Sequence, residues 1–201
     1  MRQSRLRFGA GALLVLTALY CLGTPGNIAA VLLPVLAHES GHLLALWLLG
    51  LPVRAFRVEL RGLCIEYGGS PGPFAAALTA AAGPLAGLGY ALAAAHYGTA
   101  LDSDWLSLTA GVSLLLSLFN LLPALPLDGG MLALALLQGV LGEKRAQKIL
   151  DVLGLLVAAG LLGLGFAVLL RGGGAALTVA AVWLLLSQEN ERGLVKRREI
   201  L

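Results

Sequence analysis

The chain has 201 residues, 58% of them hydrophobic and 12% charged, with a mean hydropathy of +0.87. A soluble domain carries about 25% charged residues, so this composition excludes an ordinary water-soluble protein and indicates an integral membrane protein. The net charge is +3, yet no basic stretch carries interleaved aromatics for base stacking, so nucleic acid is not an expected partner.

At about 20 residues per crossing, the length accommodates about six helices and no separate soluble domain. The expected fold is therefore an all-α polytopic membrane protein, one domain over residues 1–201. Apolar runs and their breaks predict spans at 8–23, 27–50, 73–97, 105–125, 149–170 and 174–188. The first follows Arg2, Arg5 and Arg7 and has no A-x-A-like cleavage site after it, so an uncleaved helix is expected rather than a secretory signal. Cys21 falls in that apolar run and Cys64 in a polar segment, so both read as ordinary thiols.

The second span contains His38-Glu39-Ser40-Gly41-His42. Histidines four apart share one face of a helix, and a carboxylate stands beside them. That spacing suits zinc binding and water activation. The flanks, from Val31 to Ala37 and from Leu43 to Leu49, are apolar throughout. An ionisable cluster in such a setting is costly, which makes it a functional-site candidate. The plainer alternative is a satisfied polar cluster in a channel wall, and the ligand spacing argues against it.

Residues 52–69 alternate apolar and polar, which predicts a hairpin turning at Arg61-Gly62. That turn would pair Leu60 with Leu63, Val58 with Ile65, Phe56 with Tyr67, and set Arg57 opposite Glu66. Such a hairpin could hold an extended peptide by strand addition, or serve as a plain connector. The third span repeats small residues every four positions: Ala75, Thr79, Gly83, Gly87, Ala91 and Ala95. This ridge predicts close helix packing near the histidines. Pro84 is expected to kink that helix. His96 falls at its outer end, away from the other two histidines.

Asp128 is the only acidic residue between Asp104 and Glu143. It is expected at the inner end of the fourth helix, after Asn120-Leu121-Leu122-Pro123-Ala124-Leu125-Pro126-Leu127. The prolines break regular helix, and an interrupted helix at membrane depth is tolerable where it lines a cavity or packs on protein. Taken alone, an Asp before Gly129-Gly130 reads as a turn residue. Taken with the histidines, it is the carboxylate available to a metal.

Charge sets the orientation. With the N-terminus inside, Arg171 alone of the 14 Lys and Arg residues falls outside. Both termini and the histidine pair are then expected toward the cytoplasmic side. The clusters at Lys144-Arg145 and Lys196-Arg197-Arg198 read as topology anchors that contact anionic lipids of the bilayer, and a regulatory membrane protein could use the same tail.

Together, the HESGH pentapeptide, the Asn120-to-Gly130 stretch and Gly83-Pro84-Leu85-Ala86-Gly87 resemble the motifs of the site-2 protease family of intramembrane zinc metallopeptidases. Gly87 stands where that family often has Asn. The resemblance implies one zinc ion held by His38, His42 and Asp128, with Glu39 as the catalytic acid/base. Asn120 would contact the substrate carbonyl or developing oxyanion, or else bond to another helix. It further implies a membrane-bound or membrane-associated protein substrate. The compact plan, without PDZ or CBS domains, is similar to the stage IV sporulation FB-type proteases of bacterial cell membranes, which process a sigma-factor precursor. The competing readings are a metal-dependent transporter or channel and a catalytically silent membrane scaffold. The first predicts inverted repeats, which the sequence lacks. The second predicts loss of part of the Glu39, ligand and Asn120 set, which is complete.

Overall fold

The computed structural model describes residues 5–8, 23–59, 62–69 and 72–198. The predicted span at 8–23 lies outside these apart from its end residues. The chain forms two compact units, residues 1–120 and 121–201.

The first unit runs β1 (Arg5–Phe8), α1 (Pro25–Leu48), β2 (Val53–Glu59), β3 (Gly62–Tyr67), α2 (Pro73–Ala100) and α3 (Asp104–Asn120). Proline at the first turn opens both α1 and α2, where its missing N–H costs nothing. Thr24 caps α1 by accepting the Asn27 N–H at 3.4 Å. The Trp105 indole donates to the Gly26 carbonyl at 2.9 Å and ties the start of α3 to the start of α1.

The three helices of this unit pack on one another through small side chains. α1 buries Ala30, Pro34, His38, Gly41 and Ala45; α2 buries Ala77, Ala80, Gly83, Gly87, Ala91 and Ala94; α3 buries Thr109, Ala110, Ser113 and Ser117. Leu46 of α1 is the large apolar exception inside; most others point outward, among them Leu36, Leu44, Trp47, Leu85, Leu92 and Leu115. Lipid gives leucine no reason to turn inward, so backbone approach and polar contacts govern the packing. The predicted ridge on α2 is this interface, although Ala95 lies on its exposed side.

The hairpin forms within a three-stranded sheet, in the order β1-β2-β3. β1 adds to β2 in parallel, so β2 is the central strand. The register differs from the sequence-based one. Val58 pairs with Leu63, Phe56 with Ile65 and Arg57 with Cys64, while Glu66 stands opposite Ala55. A slip of two residues leaves every side chain on its original face, so apolar alternation cannot separate the two registers. Glu59 pairs with Gly62, so Gly62 belongs to β3, while Leu60 and Arg61 of the expected turn lie outside the described residues.

The second unit runs α4 (Asp128–Leu141), α5 (Glu143–Leu170) and α6 (Ala176–Arg198). The fourth predicted span is thereby corrected. Its helix ends at Asn120, residues 121–127 form an irregular loop, and Asp128 opens a new helix rather than ending the old one. Lys144, Arg145 and Lys148 accordingly lie in the first turns of α5, not in a connector. In this unit α5 packs on both α4 and α6, with Ala146, Leu150, Gly154 and Ala158 of α5 buried.

Six helices are present among the described residues; five fall on predicted spans and α4 is an addition. Pro25–Leu48, Pro73–Ala100 and Glu143–Leu170 are long and apolar enough to cross a membrane.

Candidate metal centre

α1 carries both histidines on its packed face. At 1.5 Å per residue, His38 and His42 lie about 15 and 9 Å of rise before the helix ends at Leu48, well inside an apolar helix. His38 is 4% exposed and His42 is half-buried. Their Nε2 atoms approach to 3.2 Å, with the rings edge-on at 77°. Two nitrogens bound to one tetrahedral zinc at about 2.0–2.1 Å each lie about 3.3 Å apart. The pair therefore has the spacing of two ligands of a single ion.

The second nitrogen of His42 fixes this arrangement. Nδ1 donates to the Thr79 carbonyl of α2 at 2.8 Å. A neutral imidazole that donates through Nδ1 presents its lone pair at Nε2, where a metal needs it. Gly83, one turn after Thr79, makes room for the ring: a Cβ there would overlap the His42 imidazole. The small-residue ridge therefore admits the histidines as well as the helix backbone.

Glu39 follows His38 on α1 and is partly exposed. Ser40 turns its hydroxyl back to the Ala37 carbonyl at 2.7 Å and takes no part. Asn120 is the last residue of α3, and its amide donates to the Leu116 carbonyl one turn back at 3.0 Å. The sequence reading allowed a bond between helices; the bond lies within one helix. His96 is exposed and stacks edge-on against Tyr97, apart from the other histidines as expected.

Asp128 stands at the N-terminus of α4 and is half-buried. A carboxylate is favoured at that end by the helix dipole. The following glycines are required by packing. A Cβ on Gly129 would collide with the backbone of Leu121 and Leu122, and one on Gly130 with that of Ala124 and Leu125. The first turn of α4 thus rests directly on the irregular loop, whose Leu127 N–H donates to the Ala124 carbonyl at 2.9 Å.

Comparison with known proteins now bears on this geometry. The model of "Peptidase family M50" matches residues 93–163, which include the Asn120-to-Gly130 stretch. A protein of Mycobacterium tuberculosis named "Putative zinc metalloprotease Rip3" is 36% identical over 175 residues, 82% of this chain and 44% of that protein. The chain belongs to the site-2 protease family. A second relative, sll0528 of Synechocystis sp., carries the same zinc metalloprotease description and is 35% identical over 133 residues, 61% of this chain and 35% of that protein. The chain spans less than half the length of these curated relatives. In fold it is similar to the site-2 protease from Methanocaldococcus jannaschii, with a TM-score of 0.72 at 20% identity over 92% of this chain and 89% of that one.

The closeness of His38 and His42 was legible from their spacing alone. Thr79 was not, because it acts through a backbone carbonyl that its side chain does not advertise. Gly83 was visible only as one step of a packing ridge.

Proposed function

We propose that this chain is an intramembrane zinc endopeptidase that hydrolyses peptide bonds of membrane-bound or membrane-associated proteins. The observation that carries the reading is the 3.2 Å approach of the His38 and His42 Nε2 atoms inside an apolar helix, with Glu39 beside them. Asp128 supplies the third donor, and two imidazoles with one carboxylate are a ligand set that leaves a coordination position open. Zinc bound there supplies a Lewis acid for the scissile carbonyl and lowers the pKa of water.

The chain's own residues do the rest. Nδ1 of His42 keeps its proton on the Thr79 carbonyl, so the ring does not rotate away. Glu39 takes the proton of the attacking water and delivers it to the leaving amine. Asn120 has one amide N–H engaged with Leu116 and a second with which to meet the substrate carbonyl. The substrate is held extended on an exposed strand of the sheet. With β2 central, that strand is β1 or β3.

The distribution of Lys and Arg supports a multi-pass protein of a bacterial cell membrane, with residues 54–61, 144–148 and 192–198 and the active site toward the cytoplasm. A sigma-factor precursor, the substrate implied by the sequence resemblance to sporulation FB-type proteases, belongs to this class of membrane-associated proteins.

The test is zinc quantification on the purified protein, together with cleavage of membrane-anchored substrates after reconstitution. Stoichiometric zinc with cleavage that ceases in Glu39→Gln is the expected result. A protein that binds no zinc, or a Glu39→Gln variant that cleaves normally, overturns the reading.

A further inference from the structure

α3 brings two serines to α2 at one glycine. The Ser113 hydroxyl donates to the Gly87 carbonyl at 2.8 Å and fixes the level at which the two helices meet. One turn later, the Ser117 hydroxyl occupies the space that a Cβ would fill at Gly87. From that same point His38 Nδ1 is 3.7 Å away. Ser117 is fully buried, and its oxygen has no hydrogen-bond partner among the described residues. A buried hydroxyl without a partner is costly, so such a group calls for an explanation.

We propose that Ser117 is the positioning residue for His38, its hydroxyl accepting the Nδ1 proton through one water in the gap left by Gly87. It does for His38 what the Thr79 carbonyl does for His42. A metal-bound histidine commonly donates its other ring N–H to such a partner, which fixes the tautomer and turns Nε2 to the ion. The hydroxyl has two lone pairs for this, and its own proton can go to a carbonyl of the preceding turn. Residue 87 must be glycine for the two groups to meet, because any side chain there fills the space between them. The inference rests on the zinc reading of the His38–His42 pair.

The experiment is a competitive zinc titration of the metal-stripped full-length protein in detergent, with thermal unfolding of the same metal-free samples. Ser117→Ala is expected to bind zinc about 10- to 100-fold more weakly with little change in metal-free unfolding. Ser117→Thr, which keeps the hydroxyl, is expected to restore most of the affinity. Thr109→Val removes another fully buried hydroxyl from α3, one that bonds only to its own helix at Leu106, and is expected to bind zinc as the native protein does. Gly87→Ala, which displaces the Ser117 hydroxyl without deleting it, is expected to resemble Ser117→Ala. Native affinity in Ser117→Ala, or an equal loss in Thr109→Val, overturns the assignment while leaving the zinc reading intact. Absence of zinc binding by the native protein overturns both.

Discussion

His42 Nδ1 lies 2.8 Å from the carbonyl oxygen of Thr79, so a backbone atom of α2 decides which imidazole nitrogen faces His38. No side-chain substitution at residue 79 removes that acceptor. The site can be disturbed there only by moving the helix backbone or by crowding the ring.

Crowding is the sharper test. Gly83→Ala places a methyl in the His42 ring. Overpacking of this kind typically costs about 1–3 kcal/mol. Zinc content measured by mass spectrometry should fall together with activity. Gly89→Ala, where a Cβ would meet open space, should leave both unchanged.

Glu39→Gln should separate chemistry from metal binding. The amide keeps the shape of the side chain but cannot take a proton from water. Zinc stoichiometry is expected to stay at the native value, while kcat falls by a factor on the order of 100 to 10,000. Inductively coupled plasma analysis and a cleavage assay on one preparation measure both.

Asp128→Ala is expected to act the other way, on the metal itself. Loss of one of three protein ligands should weaken zinc binding enough for a mild chelator to strip the protein. Asp128→Asn keeps an oxygen but not the charge, and it should fall between Ala and the native residue. Equal zinc retention by all three proteins would remove Asp128 from the ligand set.

The sheet gives a fourth test, because its strands are not equivalent. Val58 lies in the central strand, paired on both sides, and Ile65 lies in an outer one. Proline removes a ladder hydrogen bond and is tolerated at edges. Val58→Pro should therefore disrupt the sheet, seen as increased proteolysis between residues 5 and 67. Ile65→Pro should keep the fold and the zinc while slowing substrate cleavage. Unchanged turnover in Ile65→Pro would leave the sheet as a connector.

Spacing carried much of this molecule into view. His38, Glu39 and His42 follow from the geometry of one helix, and outward leucines with inward small residues follow from composition. What escaped was decided by contacts distant in sequence or by features with no side-chain signature. The strand register hung on a turn that alternation cannot specify. Asp128 was placed at a helix end because two prolines were read as a terminus, whereas they precede a fresh helix that glycine packing sets in place. Ser117 gave no sign at all, since a serine in an apolar helix usually bonds to its own backbone.

The first unit has a core of alanine, glycine, serine and threonine beneath a coat of leucine. Its tolerance to change is therefore inverted relative to a water-soluble enzyme. Bulky outer positions such as Leu36, Leu85 and Leu92 can be exchanged for one another's neighbours in the aliphatic series at little penalty. Gly41, Gly83 and Gly87, packed against neighbouring helices, are the positions at which even a single added methyl is expected to silence the protein.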